Sequence, residues 1–387
     1  MLHNTFCRRL AALVLTLAVA LSAVLPVFAV YPMPVQTATE TEAVYLFNAD
    51  TGKTILSQNA DQQKYVASLT KLMTALVALE SGHDPEENVT IRPEWTGIEG
   101  SSLYLAPGEK IRLETLLYGL LLRSGNDGAE AIAGWCGGSR EKFIARMNER
   151  AARLGMTDSH FADPSGLSDE GHWSSAYDMA LLARACLAQP ELAKIVSTRA
   201  ITLEGRAMVN HNKLLWRCPG CLGMKTGYTK KAGRTLVSAA EREGMTLICV
   251  TLNAPDDWAD HIALLDWAFG RFAMEQVVRA GETLCRLPVG GSLLPFCPAV
   301  AGEGAALCLA QGEQPRLRLE LDRTALTAPV AAGEILGRAV YELEGAALAA
   351  VPLETGAALP DLAPPRRGPL AWLQERLGGA AKTMTGG

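Results

Sequence analysis

A serine and a lysine stand three residues apart at the start of a predicted helix, in the sequence Ser68-Leu69-Thr70-Lys71. On a helix this spacing places both side chains on one face, so a hydroxyl nucleophile has an amine base beside it. A lysine takes a proton from serine only if its own pKa is lowered by burial or by a second cation. A lone pair of this kind also fits an N-cap serine with an exposed lysine. The pair therefore indicates nucleophilic serine chemistry only together with partners elsewhere in the chain.

A second polar cluster, Ser124-Gly125-Asn126, follows an apolar run that predicts a helix over Glu114 to Leu122. Ser124 could relay a proton between an amine and a leaving group, and Asn126 could orient a substrate amide by donating and accepting at once. The alternative is helix punctuation, with Gly125 ending one helix and the next residues beginning another.

The third cluster is Lys225-Thr226-Gly227, just before a β run. Its cation and hydroxyl suit a carboxylate, and Gly227 lets a ligand approach the backbone closely. An edge strand here could also pair with an extended peptide. Taken alone, the tripeptide is equally typical of an ordinary turn.

These clusters lie on elements that alternate between strand and helix. Ala43 to Asn48 and Lys53 to Ser57 read as an opening hairpin, and strands return at Arg234 to Ala239 and Thr246 to Asn253. The segments between and after them are helical in pattern: Ser68 to Glu80, Glu114 to Leu122, Asp127 to Cys136, Arg140 to Leu154, Ala176 to Leu187 and Trp258 to Phe272. The simplest fold that buries these elements is a sheet covered by helices. The strands of this sheet come from the beginning and the end of the segment from Ala43 to Phe272.

The ends of the chain differ from its middle. Residues 1–29 read as an export signal, with Arg8 and Arg9 before an apolar run, although an uncleaved membrane anchor is the alternative. Beyond about residue 275, short apolar stretches alternate with Gly-rich turns and predict a small β-rich domain to residue 358. Residues 359–387 read as a Pro-rich spacer and a short amphipathic tail, in which Leu370, Leu373 and Leu377 form a stripe with Trp372 alongside. That tail could lie on a membrane surface or fray in water.

Composition excludes several classes of protein. The 387 residues are 49% hydrophobic and 20% charged, with a formal net charge of -5, so wholesale disorder and nucleic-acid binding are both disfavoured. No GxSxG or HExxH pattern occurs, and His160, His172 and His211 are expected to be structural or solvent-facing. Cys218 and Cys221 could form a local disulfide or remain free thiols, with redox catalysis or metal binding less favoured.

In the order SxxK, SxN and KTG on an exported chain, the three clusters resemble the serine-type D-alanyl-D-alanine carboxypeptidases, the low-molecular-mass penicillin-binding proteins. The resemblance covers roughly residues 35 to 355, and two further stretches support it, Pro164-Ser165-Gly166-Leu167 and Gly171-His172. It implies an α/β (α+β) fold, namely a β-lactamase/transpeptidase-like catalytic domain over residues 30–275 with a central antiparallel sheet and a helical insert. The β-rich domain, residues 276–358, follows it.

The resemblance also implies the chemistry. Ser68 would attack the bond between the two terminal D-alanines of a peptidoglycan stem peptide, with Lys71 as base. Ser124 and Lys225 would help move the proton to the leaving amine, and Asn126 would hold the peptide. The substrate carboxylate would lie near Lys225 and Thr226, beside Gly227. The backbone N–H groups of Ser68 and Tyr228 would form the oxyanion hole.

The resemblance also has implications for inhibitors, cofactors and cellular location. β-Lactams would acylate Ser68, and neither a metal nor an organic cofactor is implied. The setting would be extracytoplasmic, in the cell wall or periplasmic space, with a role in peptidoglycan biosynthesis and cell shape. Two alternatives remain: a β-lactamase, disfavoured because residues 161–167 lack the deacylating glutamate of class A enzymes, and a non-catalytic penicillin-binding cell-wall module.

Overall fold

The computed structural model of the chain describes residues 42–167 and 170–361. The predicted export signal and most of the predicted tail lie outside these ranges. The described chain divides into two compact units. One holds the chain up to Met274 together with Cys308–Gln311, and the other holds Glu275–Leu307 and the chain from Gly312 onward.

A five-stranded antiparallel sheet forms the centre of the first unit, in the order β2-β1-β9-β8-β7. Its strands are β1 (Ala43–Asn48), β2 (Thr54–Gln58), β7 (Cys221–Thr229), β8 (Gly233–Arg242) and β9 (Met245–Leu252). Two short hairpins lie outside this sheet: β3 (Asn88–Thr90) with β4 (Lys110–Arg112), and β5 (Ala200–Leu203) with β6 (Arg206–Val209).

Both faces of the sheet are buried. In β1, Tyr45 and Phe47 belong to the larger hydrophobic core, whereas Val44 and Leu46 belong to a second core. This alternation follows from the two-residue period of a strand, which turns successive side chains to opposite faces.

Among the described residues, seven helices lie between β2 and β7, and an eighth follows β9. They are α1 (Lys71–Leu79), α2 (Leu113–Leu122), α3 (Asn126–Gly137), α4 (Arg140–Leu154), α5 (Ala176–Ala188), α6 (Pro190–Ser197), α7 (Leu214–Arg217) and α8 (Asp257–Arg271). Short 3-10 turns cover Ala67–Thr70 and Pro93–Trp95. None of the helices in the described ranges is long and apolar enough to cross a bilayer.

The second unit is rich in strands. Six of them form a sheet in the order β14-β16-β17-β12-β11-β15, and only the β11–β15 pair within it is parallel. They are β11 (Thr283–Gly290), β12 (Phe296–Ala301), β14 (Arg316–Leu321), β15 (Leu326–Thr327), β16 (Ile335–Leu343) and β17 (Ala346–Thr355). Two further strands, β10 (Phe272–Val278) and β13 (Ala305–Ala310), each contain residues of both units.

The predicted elements agree closely with the observed ones, with two local corrections. Lys71, not Ser68, is the first residue of α1, because Ser68 lies in the preceding 3-10 turn. Lys225, Thr226 and Gly227 lie within β7 and not just before a strand. Pairing with β8 along the whole length of β7 holds this glycine-containing segment in the sheet despite its weak local preference for strand.

Candidate active site

Lys71 is fully buried at the start of α1, and its amine makes three short contacts. Its Nζ donates to Ser68 Oγ at 2.9 Å, to Asn126 Oδ1 at 2.8 Å and to the backbone oxygen of Ser165 at 2.6 Å. The last two partners are carbonyl oxygens, which only accept hydrogen bonds. When the amine is neutral it keeps two hydrogens, and these satisfy the two carbonyls. Its lone pair then faces the hydroxyl of Ser68.

The electrostatic surroundings favour the neutral amine. Burial, and then the positive charge of Lys225, hold the pKa of Lys71 well below its usual value, against an opposing effect of nearby carboxylates that include Asp163. A desolvated amine next to a second cation is the arrangement that lets lysine act as a base near neutral pH.

Ser68 lies in the 3-10 turn Ala67–Thr70, which hydrogen bonds hold in place. Thr70 Oγ1 donates to the Ala67 oxygen at 2.8 Å and is 2.7 Å from His172 Nε2. Because the backbone N–H of Ala162 donates to His172 Nδ1 at 3.2 Å, the ring carries its proton on Nε2 and donates it to Thr70. Burial lowers the pKa of His172, so the ring is neutral and structural, as its sequence context indicated.

The Ser165 backbone oxygen, which accepts a hydrogen bond from Lys71 Nζ, belongs to a tight turn around Asp163. Asp163 Oδ1 accepts from the backbone N–H of Ser165 at 2.7 Å, from the Ser165 hydroxyl at 2.8 Å and from the N–H of Gly166 at 2.7 Å. Gly166 has φ +85°, and a Cβ on it would lie 1.9 Å from the Ala67 oxygen. The turn therefore packs closely against Ala67, the residue before Ser68.

No role of this turn in the site was predicted from the sequence. Its contribution to the site is a main-chain oxygen, which every residue type carries, so residue identity alone does not reveal it. The available signal was the sequence Asp163-Pro164-Ser165-Gly166, since an aspartate before Ser-Gly often caps a turn through its own carboxylate.

Ser124 and Asn126 lie where α2 gives way to α3. Ser124 is buried with φ +61°, a left-handed conformation that costs a non-glycine residue energy and is common at functional sites. Asn126 Nδ2 donates to the Glu99 oxygen at 2.6 Å, and its backbone N–H donates to the Ser101 oxygen at 2.7 Å. The carboxamide oxygen of Asn126 is thus aimed at Lys71.

The next residue, Asp127, holds the loop of residues 99–105 against α3. Its buried carboxylate accepts from the backbone N–H of Leu103 at 2.9 Å, from the N–H of Leu105 at 3.1 Å and from the Ser102 hydroxyl at 2.7 Å. This loop supplies one wall of the site, which the sequence analysis did not anticipate.

Strand β7 provides the opposite wall from the edge of the sheet. Lys225 is buried, its Nζ donates to the Thr226 oxygen at 2.8 Å, and burial lowers its pKa to about 7. A Cβ on Gly227 would lie 2.4 Å from Thr235 Oγ1 and 3.1 Å from the backbone nitrogen of Ser68. The missing side chain at Gly227 therefore lets β7 lie close to Ser68.

A cleft of about 650 Å³ opens between these walls. Of the eight sequence-predicted site residues, five line it and three do not. The lining residues are Ser68, Ser124, Thr226, Gly227 and Tyr228, and the three others, Lys71, Asn126 and Lys225, are buried.

Some residues of the cleft were not predicted to be there. His211 lines it, and burial together with Lys225 and Arg123 lowers the pKa of its ring. Trp216 is exposed on the same lining. His160 is exposed beside Trp173, with ring centroids 5.3 Å apart, and is not part of this lining.

Cys218 and Cys221, just before and at the start of β7, are free thiols, so the structure does not contain the local disulfide that their spacing allowed. Cys221 Sγ accepts from the backbone N–H of Gly223 at 3.3 Å, and burial raises its pKa to about 11. Burial also raises the pKa of Cys218, whose sulfur accepts from Arg242 at 3.5 Å. Two protonated thiols are poor nucleophiles and poor metal ligands.

Comparison with known proteins identifies the family. The model of the D-alanyl-D-alanine carboxypeptidase family matches residues 32–256. D-alanyl-D-alanine carboxypeptidase DacF of Bacillus subtilis is 31% identical over 81% of this chain and 84% of its own length. DacA of Escherichia coli is 32% identical over 81% of this chain and 82% of its own. The crystal structure of penicillin-binding protein 5 from Haemophilus influenzae superposes with a TM-score of 0.73, at 30% identity, covering 86% of this chain and 99% of that one.

The chain therefore belongs to the D-alanyl-D-alanine carboxypeptidase family, and it is a serine-type carboxypeptidase. The resemblance and the α/β fold class predicted from the sequence are both confirmed.

Proposed function

We propose that the chain removes the terminal D-alanine from peptidoglycan stem peptides through an acyl-enzyme on Ser68. The observation that carries the proposal is the environment of Lys71, whose two carbonyl partners leave the lone pair of the neutral amine for the Ser68 hydroxyl. Lys71 takes the hydroxyl proton while Ser68 Oγ bonds to the carbonyl carbon between the two D-alanines.

The proton then passes to the departing amine. Ser124, on the lining of the cleft, is the relay for this transfer, and the charge of Lys225 assists it. The C–N bond breaks and free D-alanine leaves. Water then attacks the ester on Ser68 with Lys71 again as base, which restores the serine and releases the shortened peptide.

The walls of the cleft suit this substrate. The edge of β7 can add an extended peptide as a further strand, with Asn126 holding its amide on the other side. Lys225 and Thr226 offer a cation and a hydroxyl for the free carboxylate. The backbone N–H groups of Ser68 and Tyr228 form the oxyanion hole. Because Gly227 has no side chain, a substrate oxygen can approach the Ser68 N–H. A β-lactam occupies the same cleft as a mimic of the D-Ala-D-Ala end and acylates Ser68.

The rest of the chain fits an exported enzyme of the cell wall. Residues 1–29 are the export signal, residues 30–275 the catalytic domain and residues 276–358 a β-rich platform. Residues 359–387, the spacer and tail, offer a peripheral contact with the membrane. The chain acts outside the cytoplasm on the peptidoglycan, with consequences for cell shape.

The test is release of D-alanine from a pentapeptide ending in D-Ala-D-Ala, measured with the exported chain and its Ser68→Ala variant. Release that penicillin blocks and that Ser68→Ala abolishes supports the proposal. Ser101→Ala is the control, because Ser101 lines the same cleft but contributes its backbone oxygen to the fold. Fast turnover of β-lactams without D-alanine release would indicate a β-lactamase. If the unmodified chain neither releases D-alanine nor turns over β-lactams, the result would indicate a binding module.

A further inference from the structure

The hairpin between β11 and β12 ends in three exposed, bulky apolar side chains. Leu293 is 80% exposed, Leu294 57% and Phe296 52%, and we call these three residues the apolar tip. The chain carries no charged residue from Leu287 to Ala301. Large apolar side chains clustered at one exposed turn mark a surface that another apolar phase covers.

The turn that carries the apolar tip is well defined. The backbone N–H of Val289 donates to the Pro295 oxygen at 2.9 Å, and the N–H of Leu294 donates to Ser292 Oγ at 3.3 Å. Beside it, the N–H of Ala328 donates to the Gly290 oxygen at 2.8 Å and ties the hairpin to its neighbour. The apolar side chains are therefore presented by an anchored hairpin.

The described chain ends next to this hairpin. Val330 and Leu359 exchange backbone hydrogen bonds of 2.8 and 2.9 Å, which fix the last segment against the sheet. A Cβ on Gly291, in the turn itself, would lie 3.8 Å from Asp361 Oδ1. The last described residue, Asp361, thus lies beside the turn that carries the apolar tip, and 26 residues of the sequence follow it.

The sequence of that tail contains basic and aromatic residues that favour a membrane surface. Arg366 and Arg367 supply adjacent positive charges, and they are followed by Leu373 of the predicted amphipathic stripe with Trp372 alongside it. Basic residues are attracted to anionic lipid headgroups, and tryptophan favours the interface between headgroups and acyl chains. A stripe this short gives only marginal membrane binding alone, because stable attachment needs a second signal.

We propose that the apolar tip inserts into the surface of a lipid bilayer and is that second signal, acting beside the tail. Exposed leucine and phenylalanine side chains suit the boundary of the acyl chains, and the hairpin from Leu287 to Ala301 carries no charged residue that insertion would desolvate. The proposal rests on the proposed export of the chain for its setting. It does not depend on peptidase activity, which serves as an independent readout.

The test is flotation of the exported chain with vesicles of phosphatidylcholine, alone or with about one third phosphatidylglycerol. Burial of each leucine side chain strengthens binding by about tenfold or more, so the double variant Leu293→Asp, Leu294→Asp should bind anionic vesicles at least about tenfold more weakly. Leu317→Asp, on β14 at the opposite edge of the same sheet, is the matched control and should bind like the unmodified chain.

The tail variant Leu373→Asp should weaken binding on its own, and the triple variant should not bind measurably. Release of D-alanine from a soluble pentapeptide should be the same in all variants, which shows that each has folded. Equal vesicle binding by the unmodified chain and the tip variant would overturn the proposal, as would an unmodified chain that does not float. Concentration-dependent dimerisation that the tip variant abolishes, without vesicle binding, would instead assign the apolar tip to a protein interface.

Discussion

The contact between Gly166 and the turn that carries Ser68 makes Gly166→Ala an informative perturbation. The added Cβ would lie 1.9 Å from the Ala67 oxygen, where about 3.0 Å is the least that real structures show. The backbone must therefore shift by on the order of 1 Å, and a displacement of that size at a catalytic site can cost about 100-fold in rate. We expect Ser68 to be acylated about 100-fold more slowly.

Stability should fall as well. The left-handed φ of +85° costs alanine about 1 kcal/mol, and crowding a packed site costs about 1–3 kcal/mol more. Gly171→Ala is the matched control, because Gly171 lies nearby with φ +72° but its Cβ would meet nothing closer than 3.9 Å. The control therefore carries the backbone cost of about 1 kcal/mol without the collision.

The assay is the second-order rate constant for acylation by a fluorescent penicillin, with urea denaturation of both variants alongside. Gly166→Ala should be slow at concentrations of urea where it is still folded, and Gly171→Ala should keep nearly the full rate. If the two folded variants are acylated equally fast, the close approach of Gly166 to Ala67 does not position the carbonyl that holds Lys71, and the reasoning is wrong.

Three further predictions concern charge at the site. Asp163→Asn removes a carboxylate that raises the pKa of Lys71, so the loss of acylation on acidification should begin at lower pH, and an unchanged pH profile would contradict this. Because the pKa of Lys225 is about 7, kcat/KM for the peptide should decline as pH rises through about 7 and the cation is lost; Lys225→Ala should have a lower kcat/KM without this decline. Asp127→Ala leaves several buried donors without a partner and should lower the free energy of unfolding in urea by roughly 3 kcal/mol or more, whereas the exposed Asp256→Ala should change it by less than about 0.5 kcal/mol.

The sequence was most informative where chemistry depends on local spacing. Ser68 and Lys71 could be placed together because three residues nearly complete one helical turn. Ser124 and Asn126 could be placed at a helix junction because an apolar run ended there. That these pairs meet Lys225 in one cleft followed only from the family resemblance, since no local rule joins residues so distant in the chain.

Other features depend on contacts that sequence patterns do not encode. The oxygen of Ser165 reaches Lys71 only because Asp163 shapes the turn and Gly166 lets it approach Ala67. Pairing with β8 decided that Lys225 lies within a strand. The spacing of Cys218 and Cys221 was compatible with either redox state, because a disulfide depends on the geometry of the turn as well as on the interval.

The order of the strands determines when the central sheet can form as the chain emerges. Strand β1 pairs with β9, and Ala43 is the partner of Leu252, so the middle of the sheet joins the two ends of the catalytic unit. Contacts between residues so far apart form late, because a long loop must close before they contribute. Under the proposed export, a chain that crosses the membrane with its N-terminus first would therefore stay unfolded until nearly all of this unit has emerged. If the proposed export is right, Ser68 and Lys71 come together only on the far side of the membrane, where the substrate of the proposed function lies.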